Sequence, residues 1–102
     1  MYLHVVMLAF HQPVTAAVRK KMESCFEAVR RECEGLVRFE LVDNHSRTSA
    51  SYTHALLSVF SHEEAFESYR ISPAHHRLMA DLRPHIKEIV VLDTYLEQGE
   101  KL

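Results

Sequence analysis

The chain has 102 residues, 47% of them hydrophobic, with a formal net charge of −2 and a pI near 6.4. That length and apolar fraction fit one small globular domain. The charge balance leaves no footprint for nucleic acid or an anionic membrane, and no apolar run approaches the roughly 18 residues of a membrane span.

The first residues enter a strand-like pattern without a basic leader or cleavage site, so a cytoplasmic address is expected. From Tyr2 to Phe10 the chain reads as a strand apolar on both faces. Leu3, Val5, Met7 and Ala9 lie on one side; Tyr2, His4, Val6, Leu8 and Phe10 lie on the other. His11-Gln12-Pro13 breaks it. Thr15 is the expected N-cap of a helix whose stripe is Val18, Met22, Cys25, Phe26, Val29 and Cys33, with Gly35 as its C′ residue. Cys25 and Cys33 are eight residues apart in that helix. At 1.5 Å per residue that is about 12 Å, too far for a disulfide, and both read as reduced core residues.

Leu36 to Val42 is a second strand, with Val37, Phe39 and Leu41 on one face and Arg38 and Glu40 on the other. Asp43 to Ala50 is a polar hairpin loop, and Tyr52 to Phe60 is a third strand. Ser61-His62-Glu63-Glu64 predicts a capping box with Ser61 as N-cap, followed by Ala65, Phe66 and Tyr69 at helical spacing. Ser72-Pro73 stops that helix and starts another. Serine is a good N-cap, proline suits the first helical position, and proline disfavours helical geometry in the residue before it. The second helix runs to about Leu82, and Ile86 to Tyr95 is the last strand. Residues 1–97 therefore form one domain and 98–102 a charged tail.

The order β-α-β-β-α-β predicts an α+β, ferredoxin-like plan, a four-stranded antiparallel sheet with helices on one face. The other face then presents Leu3, Val5, Met7, Ala55, Leu57 and Val59 to water, too large a patch for a monomer of this size. Sheet-on-sheet packing of two copies resolves this, so a homodimer through the sheet face is expected.

Eight histidines is a high count for this length. Alternation places His4 and His54 on the helix-covered face of neighbouring strands one and three. Tyr69 and His75 flank the helical break, and His75 falls in a first turn, where the helix dipole favours a neutral ring. These four residues are expected to share one cavity under the helices. Polar groups in an apolar cavity need partners, so the cluster reads as a general acid–base site or as a three-histidine metal site with an open position. Set against both is a purely structural reading, in which His4 and His54 bond each other and backbone carbonyls. No HxH or HxxxH spacing supports the metal, so none is expected. His11, His45, His62, His76 and His85 fall at element ends or exposed positions.

His4-Val5-Val6-Met7-Leu8-Ala9-Phe10, Tyr52-Thr53-His54, Tyr69-Arg70-Ile71-Ser72-Pro73-Ala74-His75 and Val91-Leu92-Asp93-Thr94-Tyr95 together resemble the stress-responsive A/B barrel (Dabb) family. The resemblance covers nearly the whole chain and implies a dimeric α+β barrel. It is nearest to the olivetolic acid cyclase-like members, cofactor-free polyketide cyclases that close a poly-β-keto thioester by an intramolecular aldol reaction. That likeness implies His75 as the base, Tyr69 as the hydrogen-bond donor to the developing enolate, and His4 and His54 as orienting residues, with no cofactor. Phe26 stands where those cyclases carry a pocket tyrosine, and Met79 where they carry a glycine. Both are expected to line the substrate pocket; Phe26 leaves one hydroxyl missing and Met79 fills room that the glycine leaves for an alkyl tail, which points to a smaller ligand. The alternatives are a non-catalytic, ligand-binding or stress-responsive homodimer and a cofactor-free monooxygenase-like barrel. A hollow of about 300 Å³ or more beside His75 and Tyr69 is the expectation that favours a ligand.

Overall fold

A computed structural model describes residues 1–49 and 51–97; the expected tail, 98–102, lies outside the described residues. The elements are β1 (Tyr2–Phe10), α1 (Ala16–Glu32), β2 (Leu36–Asp43), β3 (His54–Phe60), α2 (Glu63–Arg70), α3 (Pro73–Leu82), a 3₁₀ turn (Arg83–His85) and β4 (Ile86–Tyr95). The four strands form one sheet in the order β2-β3-β1-β4, and every neighbouring pair is antiparallel. This is the ferredoxin-like arrangement, with its second helical segment broken into α2 and α3. Among the described residues no helix is long and apolar enough to cross a membrane.

Three helix ends show how local chemistry sets the elements. Thr15 caps α1 by accepting a hydrogen bond from the Val18 N–H, as its residue type predicts. Ser72 caps α3 by accepting from the His75 N–H, with Pro73 in the first turn. The cap of α2 differs from expectation. His62 rather than Ser61 holds the N-cap position and its side chain makes no capping bond. The Ser61 hydroxyl instead pairs with His62 Nδ1 at 2.7 Å, which removes it from the helix end.

Two further departures are local. The α1 C-cap is Cys33, so Gly35 lies two residues beyond it, not one. A register shift between Leu36 and Arg38 turns Val37 out to 56% exposure, and Leu36 joins Phe39 and Leu41 against the core in its place. Strand β3 starts at His54, two residues later than expected.

Met22, Phe26 and Val29 of α1 meet Phe60 of β3, Tyr69 of α2 and Leu78 of α3 in the core between helices and sheet. On the opposite face Leu3, Ala9, Ala55 and Val59 are already buried, because β1 and β3 are the two central strands and flank one another. The apolar exposure is therefore narrower than alternation alone predicts. It concentrates on the edge strand β4, where Val90 and Leu92 are each about half exposed.

Gly35 has φ +77°, and a Cβ there would lie 2.6 Å from the Ala65 Cβ of α2. A side chain would face both backbone strain and a backbone-anchored clash. Gly35→Ala is expected to cost about 1–3 kcal/mol, read as a lower urea midpoint at constant m-value. An unchanged midpoint would show that the loop relaxes freely.

Candidate functional site

The site follows from the register of β1 with β4. His4 faces Asp93, Val6 faces Val91 and Leu8 faces Ile89, all on the helix-covered face of the sheet. One polar row is thus followed by two apolar ones. Above them α3 runs from His75 past Met79 to Leu82, and Tyr69 and Arg70 close the end of α2. Between these layers lies a hollow of about 220 Å³, open to solvent, whose wall is apolar except for His4, Tyr69, Arg70 and His75. The polar residues gather at the α2–α3 junction, and Leu82, Ile86 and Ile89 form the far end. The volume is below the 300 Å³ expected for a ligand pocket, and Met79 is one of the side chains that border it.

A single hydroxyl organises the junction. Ser72 Oγ donates to the Tyr69 carbonyl at 2.7 Å and accepts from the His75 N–H at 3.1 Å. The Tyr69 and His75 rings meet edge to face, with centroids 4.7 Å apart. His4 packs on Phe66 at 4.8 Å and stands 6.3 Å from Tyr69, centroid to centroid. Its Nδ1 is hydrogen-bonded to Asp93 Oδ1, so one side of the imidazole is fixed by a carboxylate.

His75 Nδ1 is buried and has no hydrogen-bond partner among the described residues. Burial pushes the His75 pKa below the ordinary histidine value. A backbone hydrogen bond at Arg70 opposes that shift, and the nearby His76, His4 and Arg70 charges add to it. Burial, with a smaller contribution from Cys33, raises the Tyr69 hydroxyl well above the ordinary tyrosine range, so it stays a proton donor. Tyr69 also borders a more open groove on its other side, next to Cys33 and Ser72.

The hollow brings together His4, Tyr69, His75 and Met79. It does not include His54 or Phe26. Strands β1 and β3 are neighbours as expected, but they are antiparallel, so His4 lies opposite Ser58 and His54 lies opposite Leu8. His54 is thus four residues, about 13 Å, further along β3. It bonds Thr53 Oγ1 at 2.7 Å, stands 3.4 Å from Asp43 and packs edge-on to Phe10, beside a separate depression. His4 and His54 consequently do not pair with each other. Phe26 is fully buried against Phe39 in the core. No group of three or more His, Cys, Asp or Glu among the described residues is placed to hold a metal ion.

Two site residues escape a reading by residue type. Asp93 shares the inner face of β4 with Val91 and Ile89, and its pairing with His4 follows once β1 and β4 are laid antiparallel. Arg70 resembles any cation in the last turn of a helix, a place that the helix dipole favours for its own reasons.

The histidine shifts carry a sign for stability. His75 and His54 both have folded-state pKa values lowered, chiefly by burial, so the unfolded chain binds protons first as pH falls below about 6.5. Their contribution is complete above that pH and is lost as pH falls through the folded values. The urea midpoint of the wild type should therefore fall between pH 7 and pH 5, and His75→Gln should flatten that slope. An identical slope in the variant would contradict a buried neutral His75.

Comparison with known proteins agrees with this architecture. The family model described as the stress responsive A/B barrel domain matches residues 3–96. No curated protein sequence matches the chain. Among solved structures, a dimeric ferredoxin-like protein of unknown function from Jannaschia sp. CCS1 is similar, with a TM-score of 0.80 and 22% identity over 93% of this chain and 98% of that one. A Dabb family protein with a ferredoxin-like fold from Mesorhizobium loti has a TM-score of 0.76 and 18% identity, covering 96% and 97%. The hydroxynitrile lyase from Passiflora edulis has a TM-score of 0.79 and 14% identity, covering 98% and 96%. At such identities these likenesses speak for the fold alone. The family match over almost the whole chain speaks for descent: the protein belongs to the stress responsive A/B barrel domain family.

Proposed function

We propose that this protein binds a small carbonyl compound in the hollow beneath α2 and α3 and performs cofactor-independent acid–base chemistry on it. The observation that carries the reading is the His75 imidazole on the wall of a mostly apolar hollow, its buried Nδ1 without a hydrogen-bond partner among the described residues. A neutral imidazole with a free lone pair, next to a protonated phenol, is the equipment for moving a proton beside a carbonyl.

In this reading the His75 imidazole takes a proton from the carbon next to the carbonyl. The C–H electron pair moves into the enolate, whose oxygen accepts a hydrogen bond from the Tyr69 hydroxyl. In an aldol closure the enolate carbon forms a bond to a second carbonyl carbon, and the resulting alkoxide recovers the proton from the His75 imidazolium. In an isomerisation the proton returns to a different carbon. His4, held by Asp93, orients the substrate. The hollow's size restricts the ligand to a small one, in keeping with Met79 on its wall. The resemblance to cofactor-free cyclases supports chemistry of this class without identifying the substrate, and a hydroxynitrile lyase shares the fold.

The working unit is proposed to be a homodimer formed through the open sheet face. Half-exposed Val90 and Leu92 on the edge strand favour it, as do dimeric relatives of the same fold. The domain is taken as residues 1–97, acting in the cytoplasm.

The test is exchange of α-carbon protons of a small ketone such as phenylacetone in D₂O, followed by proton NMR. The wild type should accelerate exchange, with a rate that falls only below pH 6.5, where the lowered His75 begins to protonate. His75→Ala should reduce the acceleration by about 10²-fold or more. Light scattering should still show a mass near twice 11.9 kDa for both proteins. Acceleration that survives the substitution would remove His75 from its role. A wild type without acceleration would contradict the catalytic reading.

A further inference from the structure

We infer that Arg70 makes this hollow a site for carboxylate-bearing ligands, with the acid group held at the α2–α3 junction and the apolar part directed toward Leu82 and Ile86. The inference rests on the pocket reading above and adds the class of ligand.

The lining of the hollow separates its two ends. Along the sheet the order is His4, Val6, Leu8, and along α3 it is His75, Met79, Leu82, so polarity declines in the same direction on floor and roof. Arg70 belongs to the polar end and is the one permanent cation in the lining among the described residues. His4 is already engaged by Asp93, and Tyr69 offers a neutral hydroxyl. An anionic group entering this hollow therefore meets a full positive charge at one place.

Arg70 is also partly pre-oriented. Glu67, one turn earlier, accepts from Nε at 3.2 Å and from Nη2 at 2.9 Å, both on the same carboxylate oxygen. Nη1 makes no hydrogen bond among the described residues, and the guanidinium has donors to spare for a second carboxylate. The side chain is about half exposed, which puts the charge at the rim, where binding it requires little desolvation. Helix-end electrostatics account for a cation in the last turn of α2. They do not account for its place in the wall of the hollow beside His4, Tyr69 and His75.

A matched pair of probes tests this: 5-oxohexanoate against its amide, 5-oxohexanamide, titrated into the full chain and followed by backbone and imidazole NMR shifts. The wild type should prefer the carboxylate about fivefold or more, with shifts clustered at His75, Tyr69 and Arg70. Arg70→Gln should bring the preference close to one. Glu67→Gln, which removes the competing carboxylate, should increase it. Both substitutions are at exposed positions, and thermal melts verify folding. Equal affinity of the two probes for the wild type, or a preference that persists in Arg70→Gln, would overturn the role of Arg70 while leaving the pocket reading in place. Absence of shifts around His75 with either probe would overturn both.

Discussion

The hydroxyl of Ser72 holds the site together. It donates to the last turn of α2 at the Tyr69 carbonyl and accepts from the first turn of α3 at the His75 N–H. Proline at the next position prevents the two helices from merging. A continuous helix would place residues 69 and 75 about 120° apart around its axis, on different faces. The break instead turns both rings toward each other at 4.7 Å and brings them over the same part of the sheet. Everything proposed about proton transfer depends on that turn.

The sheet supplies the complementary half. Antiparallel pairing of β1 with β4 sets the His4–Asp93 pair beneath the helical break and surrounds it with apolar rows. The resulting environment has opposite effects on two kinds of group. Burial disfavours charge on His75 and on Tyr69 alike, so it keeps the imidazole unprotonated and the phenol protonated over the same pH range. One physical cause thus sets both partners in the states that acid–base chemistry needs.

Much of the fold was legible in the residue pattern because its signals are strong and local. The bounds of β1 and β4, the Thr15 and Ser72 caps and the break at Pro73 each rest on residue types with one favoured geometry. The failures have equally definite causes. Val37 turned outward because a bulge interrupts the two-residue period, and a bulge leaves no mark in a run of alternating residues. Ser61 lost its cap to a side-chain bond with its neighbour His62. His54 was placed on the right face, but alternation says nothing about how far two histidines stand apart along antiparallel strands. Phe26 belongs to an α1 stripe whose whole face packs into the core, and periodicity cannot distinguish a core position from a pocket wall.

The account depends most on the protonation state of one ring. A long-range proton–nitrogen correlation spectrum of the imidazoles, recorded at pH 7 on the intact protein, reads that state directly. The structure predicts that His75 is neutral at pH 7 and that its signals move when a small ketone is added. A doubly protonated His75 at pH 7, or signals that stay unmoved by the ketone, would contradict it.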